Sequence, residues 1–296
     1  MNFLVHKFKL LVNSVIGIFI KFYYNAKSLS GFTPLSSNNY SDQIVVSLTS
    51  YGRRVSATVY YSIVSMLMQT MRPNRIILWL DNNWNDDTVP LKLKSLCKYG
   101  VEIRFCDDTR SYKKLIPTLA LAPNSIIITI DDDVIYNRNL ILSLYTNYTK
   151  NPKSIYCTQA MYPKLISDKK FDKYTNWEIV KHSSYNSNKI IFPVGVGAIL
   201  YPPQSLYSEV SDEKLFLTLC PNADDIWFWI MARLNHTKHT FVHLKRNYYS
   251  FDAIYQYLHK NSALTHSNRL ENKNDIQLTK VVSHYSNLTS AIVENL

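Results

Sequence analysis

Residues 126–136 read IIITIDDDVIY, an apolar run that stops at three consecutive aspartates, Asp131, Asp132 and Asp133. The run has the length and β-branched content of a buried strand. Like charges this close repel, and a carboxylate taken out of water is costly unless something offsets it. Turn chemistry at a strand end uses one Asp; three after so apolar a lead-in call for a counter-charge. A solvated strand terminus is the plainer explanation. A hard divalent cation, Mg²⁺ or Mn²⁺, which takes oxygen ligands and keeps positions open for phosphate oxygens, suits the residue types better. The spacing is not that of an EF-hand, which alternates its ligands around a glycine.

Working back from this strand, the chain repeats one pattern. QIVVSLTS (43–50), RIILWL (75–80) and VEIRFC (101–106) are three earlier strand candidates. After the first, Val55, Val59, Ile63, Met66 and Leu67 fall on one face at helical spacing. The segments VPLKLKSLCKYG, SYKKLIPTLAL and RNLILSLYTNYTKN are the helix candidates after the second, third and fourth strands, with Gly100 where the first of them would stop. Four strand–helix units imply an α/β fold with a mostly parallel sheet and helices on both faces. In such sheets ligands bind outside the carboxyl ends of the strands. There the sequence places Thr49, Ser50, Tyr51, Arg53 and Arg54, then Asp81, Asn82 and Asn83, then Asp107 and Asp108, and last the aspartate triplet.

Composition narrows the function. The chain has 296 residues, 46% hydrophobic and 19% charged, enough for one large α/β domain with extensions. Only six glycines occur, and they form neither the phosphate loop of a P-loop ATPase nor a dinucleotide fingerprint; Gly195 and Gly197 are followed by Leu200 at the third place. The four cysteines lack C-x-x-C or zinc-site spacing and read as small core residues in a reducing, cytoplasmic setting. Sequons at Asn39, Asn147, Asn235 and Asn287 are what chance supplies in an Asn/Ser/Thr-rich chain. A net charge of +11 favours an anionic partner: a phosphorylated ligand, an anionic polymer or a membrane surface. Nucleic acid fits the sign, but no zinc-finger or RNA-binding signature accompanies it.

The first 40 residues stand apart. Leu10–Ile20 is apolar but for Asn13 and Ser14 and is bracketed by Lys7, Lys9 and Lys21. Eleven helical residues rise about 16 Å, roughly half a hydrocarbon core, so the segment does not span. The small-x-small cleavage site of a signal peptide is poorly met in FYYNAKSLS. A basic amphipathic helix over residues 1–30, peripheral on anionic lipid at the inner face of the plasma membrane, fits better, against a helix packed on its own domain or a partner.

Six stretches taken together resemble a known family: VVSLTSYGRR, SIVSMLMQT, DDTRSYKKLIPTL, IITIDDDVIY, PVGVGAILYPP and NADDIWFWIMAR, in order across residues 44 to about 235. They are similar to bacterial GT-A-fold glycosyltransferases of capsule and lipopolysaccharide synthesis, including the α-N-acetylglucosaminyltransferase of heparosan-type capsule. The resemblance implies a GT-A domain over 41–250, with an N-terminal segment 1–40 and a C-terminal helical extension 251–296 outside it. It implies transfer of a hexose or N-acetylhexosamine from a UDP-sugar to a glycan or lipid-linked acceptor, with Mn²⁺ or Mg²⁺. A sugar nucleotidyltransferase and a catalytically inactive polysaccharide-assembly protein are the alternatives. SLTSYGRR is a poor glycine-rich phosphate loop for the first, and the retained carboxylates argue against the second.

By the same resemblance Asp131 and Asp133 would approach the metal and the sugar diphosphate, with Asp132 between metal and donor sugar. Thr49, Ser50 and Tyr51 would line the nucleotide pocket, and Arg53 or Arg54 would meet phosphate. Asp107 or Asp108 would accept from the uracil N–H. Of the pair Lys113 and Lys114, one side chain is expected to point outward to solvent, and Lys114 is assigned to the diphosphate. Gly195 and Gly197 would let backbone approach the donor sugar or acceptor; a tight turn into a buried strand is the plainer role. Asp224 and Asp225 are either first-turn acids of a helix capped by Asn222, or hold the base or charge stabiliser, with Asp225 in that role. His243 is a third candidate for the metal shell, although a lone histidine on a short strand is more often structural.

Overall fold

The computed structural model of the protein describes residues 2–35, 43–167, 170–244, 248–250 and 272–286. Most of the expected extension, including residues 251–271 and 287–296, lies outside the described residues, as do the sequons at Asn39 and Asn287.

The four expected strands form: β1 (Ile44–Thr49), β2 (Arg75–Asp81), β3 (Val101–Cys106) and β4 (Ile126–Thr129). They run parallel, β1 lying between β2 and β4 with Val46 opposite both Ile76 and Ile128. Three later strands complete a seven-stranded sheet: β5 (Ser154–Cys157), β6 (Ile199–Tyr201) and β7 (Lys238–Phe241), in the order β7-β5-β6-β4-β1-β2-β3. β6 is antiparallel to both its neighbours, β4 and β5, whereas β7 is parallel to β5. One strand of seven is therefore reversed, and the sheet is mostly parallel.

Helices cover both faces, and the two-residue period of the strands sorts the core between them. Ile44, Val46 and Leu48 pack with α2 (Val59–Leu67) and α4 (Leu140–Tyr148), and Tyr24 of α1 (Asn2–Leu29) joins that layer. On the other face Ile127, Ile155 and Ile199 pack with α5 (Glu213–Leu219), α6 (Asp224–Leu234) and α7 (Lys273–His284). Val45, Ile77 and Trp79 form a smaller cluster with Ala122, just past α3 (Ile116–Leu121).

Several helix expectations need correction. The helix after β1 is broken: a single turn at Arg54–Ala57 ends at Thr58, whose Oγ1 donates back to the Arg54 carbonyl, and α2 starts afresh. All nine residues of α2 are buried, so it is enclosed on every side and not merely along one stripe. VPLKLKSLCKYG yields only a turn at Leu91–Lys94 and a 3₁₀ turn at Cys97–Tyr99, though Gly100 does end it in the left-handed region, at φ 92°. SYKKLIPTLAL divides into a 3₁₀ turn, Arg110–Lys114, and α3, where Pro117 fits the first helical turn. All four cysteines are free, and Cys97 is exposed rather than a core residue.

Candidate active site

The rim formed by the carboxyl ends of the parallel strands gathers the charged residues. The chain past β4 supplies the aspartates, and the turn past β3 supplies Lys113 and Lys114. Because β6 runs backwards, the 3₁₀ turn that precedes it, Gly195–Gly197, also lies on this rim, with Ile199 opposite Thr129. The N-terminus of α6 adds Asp224 and Asp225.

Two cations organise five carboxylates. Lys114 is buried, with Nζ 2.8 Å from Asp224 Oδ2, 3.6 Å from Asp131 Oδ1 and 3.8 Å from Asp225 Oδ1. Burial opposes its charge, but the three aspartates outweigh burial and hold its pKa well above the ordinary lysine value. Arg54 meets the other two: Nη1 lies 2.9 Å from Asp132 Oδ1 and Nη2 3.2 Å from Asp133 Oδ2. Asp132 also accepts from Ser50 Oγ at 2.6 Å, and burial, despite Arg54, pushes its pKa upward. Asp133 rises to about 7, through burial first, partly offset by Arg54 and reinforced by Asp132 and Asp131.

Asp225 also rises to about 7, from burial opposed by Lys114 and assisted by Asp224. Its Oδ2 accepts from the Gly195 N–H at 2.9 Å, while Oδ1 is buried with no hydrogen-bond partner among the described residues. Neither acid caps α6. The cap position is Ala223, no side chain bonds the first-turn N–H groups, and Asn222 instead accepts from Arg110 Nη1 at 2.7 Å and donates its N–H to Gln277. Asn222 therefore does not cap the helix, whereas Asp224 and Asp225 do stand in its first turn, at its positive end.

Several expectations are corrected here. Lys113 and Lys114 are both buried, so neither points to solvent. In a 3₁₀ turn successive side chains diverge by about 120°, which sends the pair to different acids. Lys113 pairs with Asp108 and lies 3.7 Å from Asp81, and its hydrogen bond holds the Asp108 carboxyl below the usual range. Asp107 accepts from Asn82 Nδ2 at 2.7 Å. Arg53 is exposed, and Arg54 is the arginine at the aspartates. Asp132 is 4% exposed and spent on Ser50 and Arg54, so it locks the β1 and β4 loops together instead of facing a donor sugar. Thr49 Oγ1 donates to the Trp79 carbonyl, a strand-to-strand bond, whereas Tyr51 is exposed with Arg54 5.4 Å from its ring.

The glycines serve close packing. A Cβ at Gly195 would lie 2.7 Å from Asp225 Oδ1 and 2.9 Å from Lys114 Nζ, and one at Gly197 2.7 Å from the Gln159 backbone nitrogen. His243 is exposed and stacks on His182 at 4.1 Å. The shell of Asp131, Asp133 and His243 does not assemble: among the described residues no three His, Cys, Asp or Glu side chains are arranged to hold a metal. The remaining donor set does fit a hard divalent ion. Asp131 and Asp133 keep 31% and 16% of their side chains exposed, and five carboxylates against two cations leave surplus negative charge. Mg²⁺ commonly takes one or two carboxylates and fills its other positions with phosphate oxygens and water.

Three of these participants escaped the sequence reading: Lys113 as a buried cation, Asp81 as its partner, and Tyr136. Tyr136 Oη accepts from the Asp131 N–H at 2.8 Å and donates to the Val196 carbonyl at 3.2 Å, joining the aspartate loop to the glycine turn. Asp81 ends an apolar strand just as Asp131 nearly does, which was a usable signal. Nothing in the sequence marked Tyr136.

The sequence matches no family model and no curated protein. Among solved structures, Staphylococcus aureus TarS 1–349 in complex with UDP aligns over 70% of this chain and 60% of its own, at 11% identity and a TM-score of 0.46. UDP-glucose pyrophosphorylase from Acinetobacter baumannii aligns over 82% and 99%, at 11% identity and a TM-score of 0.44. The inositol-1-phosphate CTP transferase of T. maritima aligns over 70% and 87%, at 11% identity and a TM-score of 0.41.

Proposed function

We propose that the protein is a divalent-metal-dependent glycosyltransferase. It moves a hexose or N-acetylhexosamine from a UDP-sugar to a glycan or lipid-linked acceptor in surface polysaccharide synthesis on the cytoplasmic side of the membrane. The observation that carries this reading is the convergence of Asp131, Asp224 and Asp225 on Lys114, beside Asp133 on the same rim. The six family-like stretches support it, because four of them supply that cluster and its Arg54 neighbour.

Mn²⁺ or Mg²⁺, held by Asp133 and Asp131, would neutralise the diphosphate as it leaves. The chain's own residues do the rest. Asp225 is a partly exposed acid, with 25% of its side chain open, and its pKa near 7 suits proton transfer. It takes the proton of the acceptor hydroxyl as that oxygen bonds to the sugar's anomeric carbon, and the carbon–oxygen bond to the diphosphate breaks, its electron pair leaving with UDP. Lys114 stays protonated and balances the carboxylates around it. The Gly195 N–H holds Asp225 Oδ2 and fixes the carboxylate beside Lys114.

The test measures UDP binding and release. UDP should bind at least about tenfold more tightly with Mn²⁺ or Mg²⁺ than with EDTA, and Asp133→Ala should remove that difference while the protein still melts cooperatively. UDP-sugar should be hydrolysed slowly to UDP without acceptor. Equal UDP affinity with and without metal sinks the metal role. Pyrophosphate release from UTP and a sugar 1-phosphate would identify a nucleotidyltransferase instead.

A further inference from the structure

The first 41 residues contain four lysines, Lys7, Lys9, Lys21 and Lys27, and no acid. Within them α1 runs 28 residues, Asn2–Leu29, about 42 Å of helix. Its C-terminal part divides into two faces at helical spacing. Tyr24 is buried and Ile20 packs against the core beside α2. That inward face fastens α1 to the domain.

The outward face should then be polar, as on an ordinary surface helix. It is apolar instead. Val15, Ile18, Phe19, Phe22 and Tyr23, at i, i+3, i+4, i+7 and i+8, are exposed by 44%, 67%, 68%, 72% and 54%. Contiguous exposed aromatics on one stripe mark a contact surface. No helix among the described residues is long and apolar enough to cross a membrane.

We propose that this outward face of α1 seats on an anionic lipid bilayer, parallel to its surface. Charge selects the occupant: lysines without acids complement anionic headgroups, while Phe and Tyr suit the boundary between headgroup and acyl chain. A second copy of this chain would bring the same lysines against their own like charges. Seated this way, the helix holds the domain at the surface without crossing it. This inference does not depend on the glycosyltransferase reading, since it uses no residue of the rim.

The experiment is co-sedimentation of the full chain with phosphatidylglycerol-containing and with purely phosphatidylcholine vesicles, for the wild type and for Phe19→Glu/Phe22→Glu. The wild type should partition at least about tenfold better onto the anionic vesicles, and less so as salt rises. The double variant should lose this binding and keep wild-type melting and UDP affinity, because both positions are exposed. A Lys21→Glu/Lys27→Glu variant should weaken anionic binding and flatten its salt dependence. A wild type that ignores anionic vesicles, or a Phe variant that still binds them, overturns the proposal. So does a lipid-free dimer abolished by the Phe variant, which would assign the face to a second copy.

Discussion

Asp225 and Arg54 show how much a single side chain decides here. Replacing Asp225 by Asn keeps the shape but removes the proposed base, so turnover should fall roughly 10²-fold or more with UDP still bound. Its effect on stability should depend on pH. The carboxyl pKa is raised in the folded protein, to about 7 from 3.8, so at low pH folded and unfolded forms are both protonated. As pH rises the unfolded chain ionises first, and the native state loses stability until its own Asp225 ionises near 7. The advantage of Asp225→Asn in melting temperature should therefore grow from about pH 4 to pH 7 and level off above it, and a pH-independent difference would contradict the under-compensated carboxylate. Arg54→Gln strands Asp132, which is 4% exposed, without its cation. It should cost about 2–3 kcal/mol in denaturant unfolding, below the range for wholly buried pairs because Arg54 is 30% exposed. Asp132→Asn in the same background should recover part of that loss.

At the scale of elements, the turn before β6 is where packing and chemistry meet. Gly195→Ala places a methyl against Asp225 and Lys114, both flexible side chains, so it should lower turnover while changing stability by less than about 1 kcal/mol. Gly197→Ala meets the Gln159 backbone nitrogen at 2.7 Å, which cannot swing aside, so it should cost about 1–3 kcal/mol. Activity and urea midpoints of the two variants separate these outcomes. The strands that bear the rim were legible because each is a local apolar run ending in polar residues. The burial of Lys113 was not, because its acids come from the ends of two different strands, and adjacent lysines look like a solvated face until those strands are paired. His243 failed as a ligand for the same reason: nothing local says that its neighbour is His182.

Across the whole molecule, four parallel strands and helices on both faces could be read from the repeat, but the position of β6 could not. Its partner β4 lies about 70 residues earlier, and no short-range pattern announces that pairing. The reversed strand has a consequence for how the chain is made. When β4 emerges during synthesis its outer edge has no partner, and at ~5–20 residues per second β6 follows only after roughly 4–14 s. An unpaired, apolar strand edge invites association with other chains for that long. The same delay governs the rim: Lys114 and Asp131 precede β6, while Asp224 and Asp225 follow it, so the lysine meets its full set of acids only late. A nascent chain stalled before residue 199 should aggregate or recruit chaperones, and one extending past α7, beyond residue 284, should not. Ribosome-bound chains of the two lengths, compared by protease resistance, would show maturation arriving in a single late step.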